Sequence, residues 1–366
     1  MKEKLIEFIK DNPGHKGRVI ARELGLNKTE VNSLLYSSSE EFFQKEGGWH
    51  CINSKALVID LPDIGWIDGE SFDNSLPITE DVFDSALADV EVVFPQGGKV
   101  LLEAAARLLA FVNQLDAAGK FVTVDFRLTL DAFSYLDRIG FISLLAPRVQ
   151  VLPERPEIPA SDIYRDNSQS VVELDEICPS SPDTTIPKRL TERFLHHTGE
   201  RYRQAAFTVF SELFGNVCEH SSTPIPGFAA LQKYAGYGPH SPHIQIVVSD
   251  SGQGIVGTLE PVLSRYYPDV AGRYDLSSDQ ARAQLIREVL DKGSISQTGE
   301  RARGLGLKRS QEYAVMYNAD ISVRQETFEV RLSYRDGELI GDSINSNLPR
   351  LHGTHVCFDF ILDSKD

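Results

Sequence analysis

Cysteine is scarce in this sequence and arranged without pairs. Cys51, Cys178, Cys218 and Cys357 form no Cys-x-x-C, which excludes the common zinc and dithiol motifs and suits a reducing compartment. Long apolar runs are missing too. No stretch reaches the ~20 residues that cross a bilayer. Met1-Lys2-Glu3-Lys4 opens a charged amphipathic helix, not the apolar segment of a signal peptide. A cytoplasmic location and no membrane partner are expected. Positive charge is the third shortage: 37 Lys and Arg face 53 Asp and Glu, for a net charge of -16. That argues against broad attraction to nucleic acid or anionic lipid and leaves room only for a local patch. Residues 56–98 hold no Lys or Arg at all.

A length of 366 residues with 41% hydrophobic and 25% charged side chains predicts a soluble chain of two or three domains. Residues 1–58 read as a small separate domain. Leu5, Phe8 and Ile9 mark a first helix that stops at Asn12-Pro13-Gly14. Val19, Ile20 and Leu24 mark a second, closed by Gly25. Asn27 is placed to cap a third, with Val31, Leu34 and Leu35 inward, and a hairpin follows around Gly47-Gly48. Residues 59–89 read as an acidic, solvated linker. A sharper reading has those acids compete with phosphate for basic residues of the small domain or of the charged segment 256–303. Residues 90–152 alternate strand, helix, strand and helix, an α/β unit, with Ser134 as N-cap of a helix over 135–145. Residues 153–167 read as a second linker.

Residues 168–366 form the last predicted domain, and two stretches organise it. Ser211 to His220 continues a helix marked by Phe207, Phe210, Leu213, Phe214 and Val217, on which Glu212 and Asn216 share a face. Ile246 to Asp250 is an apolar strand ending in an acid, followed by Gly252-Gln253-Gly254, where backbone can approach a ligand closely. Residues 222–243 read as a loop. Gly299 to Lys308 is a Gly- and Arg-bearing turn opening a helix, a place where free N–H groups meet phosphate. Residues 319–334 read as two strands, Arg335-Asp336-Gly337-Glu338 as a hairpin turn, and Gly353-Thr354 as a turn into a closing strand. These residue types suit a nucleotide: a buried carboxylate for an exocyclic amine, an amide oxygen for Mg2+, a carboxylate for proton transfer. Placement on one helix face also fits a merely solvated stripe. The histidine pairs His240/His243 and His352/His355 are not read as metal sites.

In that order, the four boxes of residues 168 to 362 resemble the GHKL ATPase (Bergerat) superfamily, closest to its anti-sigma-factor serine kinase type. The resemblance implies ATP and Mg2+ as cofactors. Glu212 would be the general base and Asn216 the Mg2+ ligand. Asp250 would contact adenine, Gly252 and Gly254 would shape the turn, and Thr354 would support the adenine end. Gly304 and Gly306 would hold phosphates in a lid over residues 256–303, with Arg301 and Arg303 adding charge. It implies a sandwich of a mixed sheet with helices on one face. The α/β unit resembles a STAS domain, without the usual Asp-Ser-Ser-Gly. Residues 1–58 resemble a winged helix, including its Z-form nucleic-acid-binding branch. There the third helix would offer Lys28, Asn32, Ser33 and Tyr36. Because residues 1–50 carry eight basic and eight acidic side chains, nucleic-acid binding and protein contact stay equally open.

The fold class expected is therefore multidomain α+β and α/β. The function expected is an ATP-binding regulatory protein whose slow Mg2+-dependent hydrolysis is coupled to lid closure and to a protein or nucleic-acid partner, with a homodimer open. The alternatives are a serine/threonine protein kinase of the anti-sigma type and a nucleic-acid-binding regulator whose ATP site does not hydrolyse.

Overall fold

The computed structural model describes all residues except 39–41, 46, 52–55, 79–80, 85–86, 88, 222, 237–240, 294, 296–305 and 363–366. The chain is mixed α/β and forms two compact units, Met1–Leu57 with Leu87–Asp89, and Val58–Ala86 with Val90–Asp366.

The smaller unit has the three helices and hairpin expected: α1 (Lys2–Asp11), α2 (Gly17–Glu23), α3 (Lys28–Ser37), β1 (Phe42–Lys45) and β2 (Gly48–Cys51). Asn27 caps α3, its Oδ1 accepting the N–H groups of Thr29 at 2.9 Å and Glu30 at 3.4 Å. A bridge between His15 and Trp49 adds a third strand segment to the antiparallel hairpin. Leu5, Ile9, Ile20, Val31, Leu35, Phe42 and Trp49 close the core.

The larger unit opens with β3 (Leu57–Asp60), β4 (Trp66–Ile67), α4 (Gly69–Ser75), β5 (Asp89–Val93), β6 (Lys99–Val100), α5 (Leu102–Ala117), β7 (Phe121–Asp125), α6 (Leu130–Arg138), α7 (Phe141–Leu144), β8 (Gln150–Leu152) and α8 (Ala160–Tyr164). Strands β3, β5, β7 and β8 make one four-stranded sheet, with β7 and β8 parallel. Then follow β9 (Val171–Ile177), α9 (Ile186–Thr198), α10 (Arg203–His220), β10 (Gly227–Tyr234), β11 (His243–Asp250), α11 (Gly254–Tyr266), α12 (Pro268–Ala271), α13 (Asp279–Lys292), α14 (Gly306–Met316), β12 (Ala319–Arg335) and β13 (Glu338–Ile361). A five-stranded sheet of order β12-β13-β11-β10-β9 carries this half.

Several expectations are corrected. Every pairing in the five-stranded sheet is antiparallel, so it is not mixed. The loop assigned to 222–243 contains β10, because its Phe228-Ala229-Ala230-Leu231 run is buried between two neighbours that outweigh the weak strand propensity of alanine. The two strands read in 319–334 are one, bulged near Glu326, whose φ of 43° turned the alternation without turning the chain. The turn at Asp336-Gly337 is as expected, both residues having positive φ. Of the segment 256–303 read as a lid, the described part carries most of α11 with α12 and α13, and Leu285, Ile286 and Leu290 of α13 are fully buried; residues 294 and 296–303 lie outside the described residues. Ser134 is no N-cap. It lies inside α6 and donates to the carbonyl of Leu130 at 2.9 Å.

Both faces of the five-stranded sheet are covered. Residues at every second position, Ile244, Ile246, Val248, Ile321, Val323, Val356, Phe358 and Phe360, pack under α9, α10, α11, α13 and α14. The intervening residues include Val247 and Cys357, but most, among them Gln245, Ser249, Ser322, Arg324, His355 and Asp359, are polar, and would ordinarily face water. Here α5 and α4 bury them. Arg107 of α5, 1% exposed, donates to Asp73 at 2.6 Å, Glu103 at 2.6 Å, Ser322 at 2.9 Å and to Glu329. Arg324 reaches Asp73 at 3.1 Å, and Arg331 reaches Glu329 at 2.8 Å and Glu103 at 3.1 Å. Three guanidinium groups thus balance three carboxylates. Burial pushes the Glu329 carboxyl up, but Arg107 and Arg331 outweigh it and hold it at about 2. Gly69 starts α4 directly over this cluster, where a Cβ would lie 2.7 Å from the Arg107 guanidinium carbon.

The acidic segment is therefore no linker. Asp73 is spent on Arg107 and Arg324, and Asp81 on Arg350 at 2.6 Å, all within the larger unit. Nor is 153–167 a free linker: Arg155 donates to the carbonyls of Ile142, Leu145, Ala146 and Val149 at 3.0–3.1 Å. Arg107→Met would leave three buried carboxylates short of a partner, and should cost roughly 3–5 kcal/mol of stability in urea unfolding. A loss under about 1 kcal/mol would mean the cluster is hydrated.

Candidate functional site

The apolar series facing the helices ends abruptly at one end of the sheet. Continuing Ile244, Ile246 and Val248 along β11 gives Asp250. Continuing Ile321 and Val323 along β12 gives Gln325. Running β13 back from Val356 gives Thr354. The register sets Asp250 opposite Thr354, and Thr354 opposite Gln325. Three polar side chains thus sit abreast on the helix-facing side, each largely buried.

They are joined in sequence. The Val256 N–H donates to Gln325 Oε1 at 3.4 Å, Gln325 Nε2 donates to Thr354 Oγ1 at 2.8 Å, and Thr354 stands directly across from Asp250 in the strand register. Asp250 Oδ1 also accepts the Gly252 N–H at 2.7 Å. Gly252 is pressed against the end of α10: a Cβ there would lie 1.9 Å from the Ser221 carbonyl oxygen. Gly353, at φ +93°, is not in a turn but inside β13, and a Cβ would stand 2.0 Å from the Asp250 carbonyl oxygen. Both glycines are there to let backbone segments meet.

The structure brings Asp250, Gly252, Gly254 and Thr354 into one cluster and seats the C-terminal end of α10 on it. Glu212 and Asn216 lie on that helix, both half-buried. Glu212 pairs at 3.5 Å with Arg309 of α14. Gly306 begins α14, whereas Arg301, Arg303 and Gly304 lie outside the described residues. Gln325 and Arg309 join the candidate site's residues without having been picked out in the sequence. Gln325 left a signal: it is the polar residue standing where the Ile321, Val323 series calls for a third apolar one. Among the described residues no group of three or more His, Cys, Asp or Glu could hold a metal. His355 is neutral, pushed down to about 3 by burial and by Arg324 and Arg107.

No family model, no curated protein and no solved structure matches this chain.

On the smaller unit, Lys28, Ser33 and Tyr36 are exposed on α3. Asn32 is not equally free. Its Oδ1 lies only 2.0 Å from where a Gly17 Cβ would be, so the amide packs on the start of α2. Tyr36, 65% exposed, meets Trp49 edge to face at 4.7 Å.

Burial raises the Asp250 carboxyl from 3.8 to about 6, despite the bonds from Gly252 and Thr354. The folded protein therefore holds this proton more tightly than the unfolded chain. The resulting stability is fully present below about pH 3.9 and is lost as pH rises through about 6, so the ionised group costs about 3 kcal/mol at neutral pH. Asp250→Asn should raise the unfolding midpoint of ligand-free protein at pH 7.5, with a gain that shrinks toward pH 5. A drop in midpoint at pH 7.5 would show that the carboxylate is not desolvated.

Proposed function

We propose that the larger unit binds ATP with Mg2+ between α10 and the start of α14, and that this is a regulatory protein which hydrolyses ATP slowly. The observation that carries the reading is Asp250: a carboxylate desolvated at the end of a central strand, at a standing cost, with its orientation set by Gly252 and Thr354. Such a cost is retained where the carboxylate has a ligand to meet, and an exocyclic amine of adenine is a fitting donor. In the same reading the Asn216 carbonyl would be the protein's ligand to Mg2+. That donor set suits a protein without an acidic metal cluster among its described residues. When bound, Mg2+ supplies charge neutralisation to the phosphates.

Glu212 is the candidate base. It stands one helical turn before Asn216 and is open enough to reach a water. The Arg309 contact ties it to α14, whose N-terminal end would offer N–H groups to phosphate in this reading. Nucleotide arrival would thus bear on α10 and α14 together and report to a partner. The likeness to the anti-sigma serine kinases makes transfer to a protein the competing outcome for the same site.

A second reading concerns the smaller unit, and the Tyr36–Trp49 pair favours it. An exposed tyrosine held edge-on to a tryptophan, on a helix that also carries Lys28 and Ser33, suits contact with a nucleic-acid backbone and a base.

Incubation with γ-labelled ATP tests the first reading. Glu212→Ala should keep ATP affinity within about twofold and lower phosphate release by at least ~100-fold. Asp250→Asn should weaken ATP binding by at least ~10-fold. Label on a protein in place of free phosphate would reassign Glu212 to phosphoryl transfer, and absence of ATP binding would refute the site. For the second reading, Tyr36→Ala should abolish binding to duplex DNA in B- or Z-form and to duplex RNA in A- or Z-form. Unchanged binding would remove α3 from that role.

A further inference from the structure

Helix α5 approaches the candidate site from the opposite side of the sheet. Its polar residues Glu103, Arg107 and Gln114 recur at helical spacing, and all three are buried. The first two belong to the balanced charge cluster. Gln114, 3% exposed, belongs to none of it. Its Nε2 donates to the His352 carbonyl at 2.8 Å and to Ser251 Oγ at 2.9 Å, while its Oε1 accepts the His352 N–H at 3.0 Å.

The placement matters because of where the ladder stops. Strands β11 and β13 pair as far as Asp250 opposite Thr354. Ser251 follows Asp250, and His352 stands two residues before Thr354, across Gly353. The side-chain amide of Gln114 bonds both polar groups of the His352 peptide, as a neighbouring strand would, and holds Ser251 with its third bond. Asp250 and Thr354 face the helices; Gln114 grips the chain beside each of them from behind.

We infer that Gln114 is a positioning residue of the nucleotide site, which fixes the Asp250–Thr354 pair in binding geometry from the far face of the sheet. The inference rests on the nucleotide reading given above. Gln114 touches no ligand; it acts through two backbone segments. Without it, the His352 N–H and the Ser251 hydroxyl lose this partner, the His352 carbonyl keeps only the His355 imidazole at 3.0 Å, and the closest approach of Gly353 to Asp250 is no longer pinned.

Isothermal titration with ATP and Mg2+ tests this on the full chain, comparing the parent, Gln114→Leu and Leu109→Ala. Leu109 is fully buried on the same helix, so its truncation supplies a comparable loss of stability without touching Ser251 or His352. Gln114→Leu should raise the Kd for ATP at least about tenfold at full stoichiometry. Leu109→Ala should leave Kd within about twofold, any damage showing as reduced stoichiometry. Hydrogen exchange without nucleotide should be faster at residues 251–254 and 351–354 in Gln114→Leu alone. Parent-like affinity in Gln114→Leu overturns the positioning role while leaving the nucleotide site standing. Equal affinity losses in both variants overturn it as well, since they would reflect general loosening of α5. Failure of the parent to bind ATP overturns the nucleotide reading and this inference together.

Discussion

The guanidinium of Arg107 is the constraint on which the larger unit turns. It is buried with Asp73 from α4, Glu103 from its own helix and Glu329 from β12. None of these groups could be left in the interior alone, because an unpaired buried charge costs several kcal/mol. The three arginines and three carboxylates have to arrive together, and they come from segments more than 200 residues apart in sequence. That requirement joins the four-stranded layer and the five-stranded sheet into one body. It also gives the sheet an unusual section: an oily face under α9, α10, α11, α13 and α14, and a polar face sealed by α5.

The candidate site is at one end of this doubly covered sheet. Where the oily series runs out, Asp250, Thr354 and Gln325 stand in a row across three strands, linked by hydrogen bonds to the first turn of α11. Preorganisation of this kind lowers what a ligand must spend on ordering the site. It also explains the glycines. Gly252 and Gly353 face backbone, not ligand, and allow three chain segments to converge on one carboxylate.

Much of this was legible beforehand. The helix carrying Glu212 and Asn216, the strand ending at Asp250, the Asn27 cap and the Asp336-Gly337 hairpin follow from periodicity and turn chemistry, which are local. The failures were non-local. Alternation such as Ile321-Ser322-Val323-Arg324 reads as half-exposed, and nothing within the strand says that a helix 200 residues earlier will cover its polar side. The acid-rich residues 59–89 read as solvated for the same reason: the partners of Asp73 and Asp81 are Arg107, Arg324 and Arg350, far away in the chain. Strand β10 was lost because alanine and glycine carry little strand signal, and its neighbours supply the difference. Gln325 was readable only as a polar residue at a position that should have been apolar, and Gln114 as one of a polar series on α5, hints that gain meaning once the strands are set in register.

Where a purine nucleotide sits decides whether Asp250 meets a ligand. Photoaffinity labelling with 8-azido-ATP and Mg2+, followed by peptide mass spectrometry, locates it directly. Saturable label on peptides carrying residues 250–254, 325 or 354, competed away by ATP, is the outcome expected. Saturable label confined to other parts of the chain, or label that ATP does not displace, would contradict it.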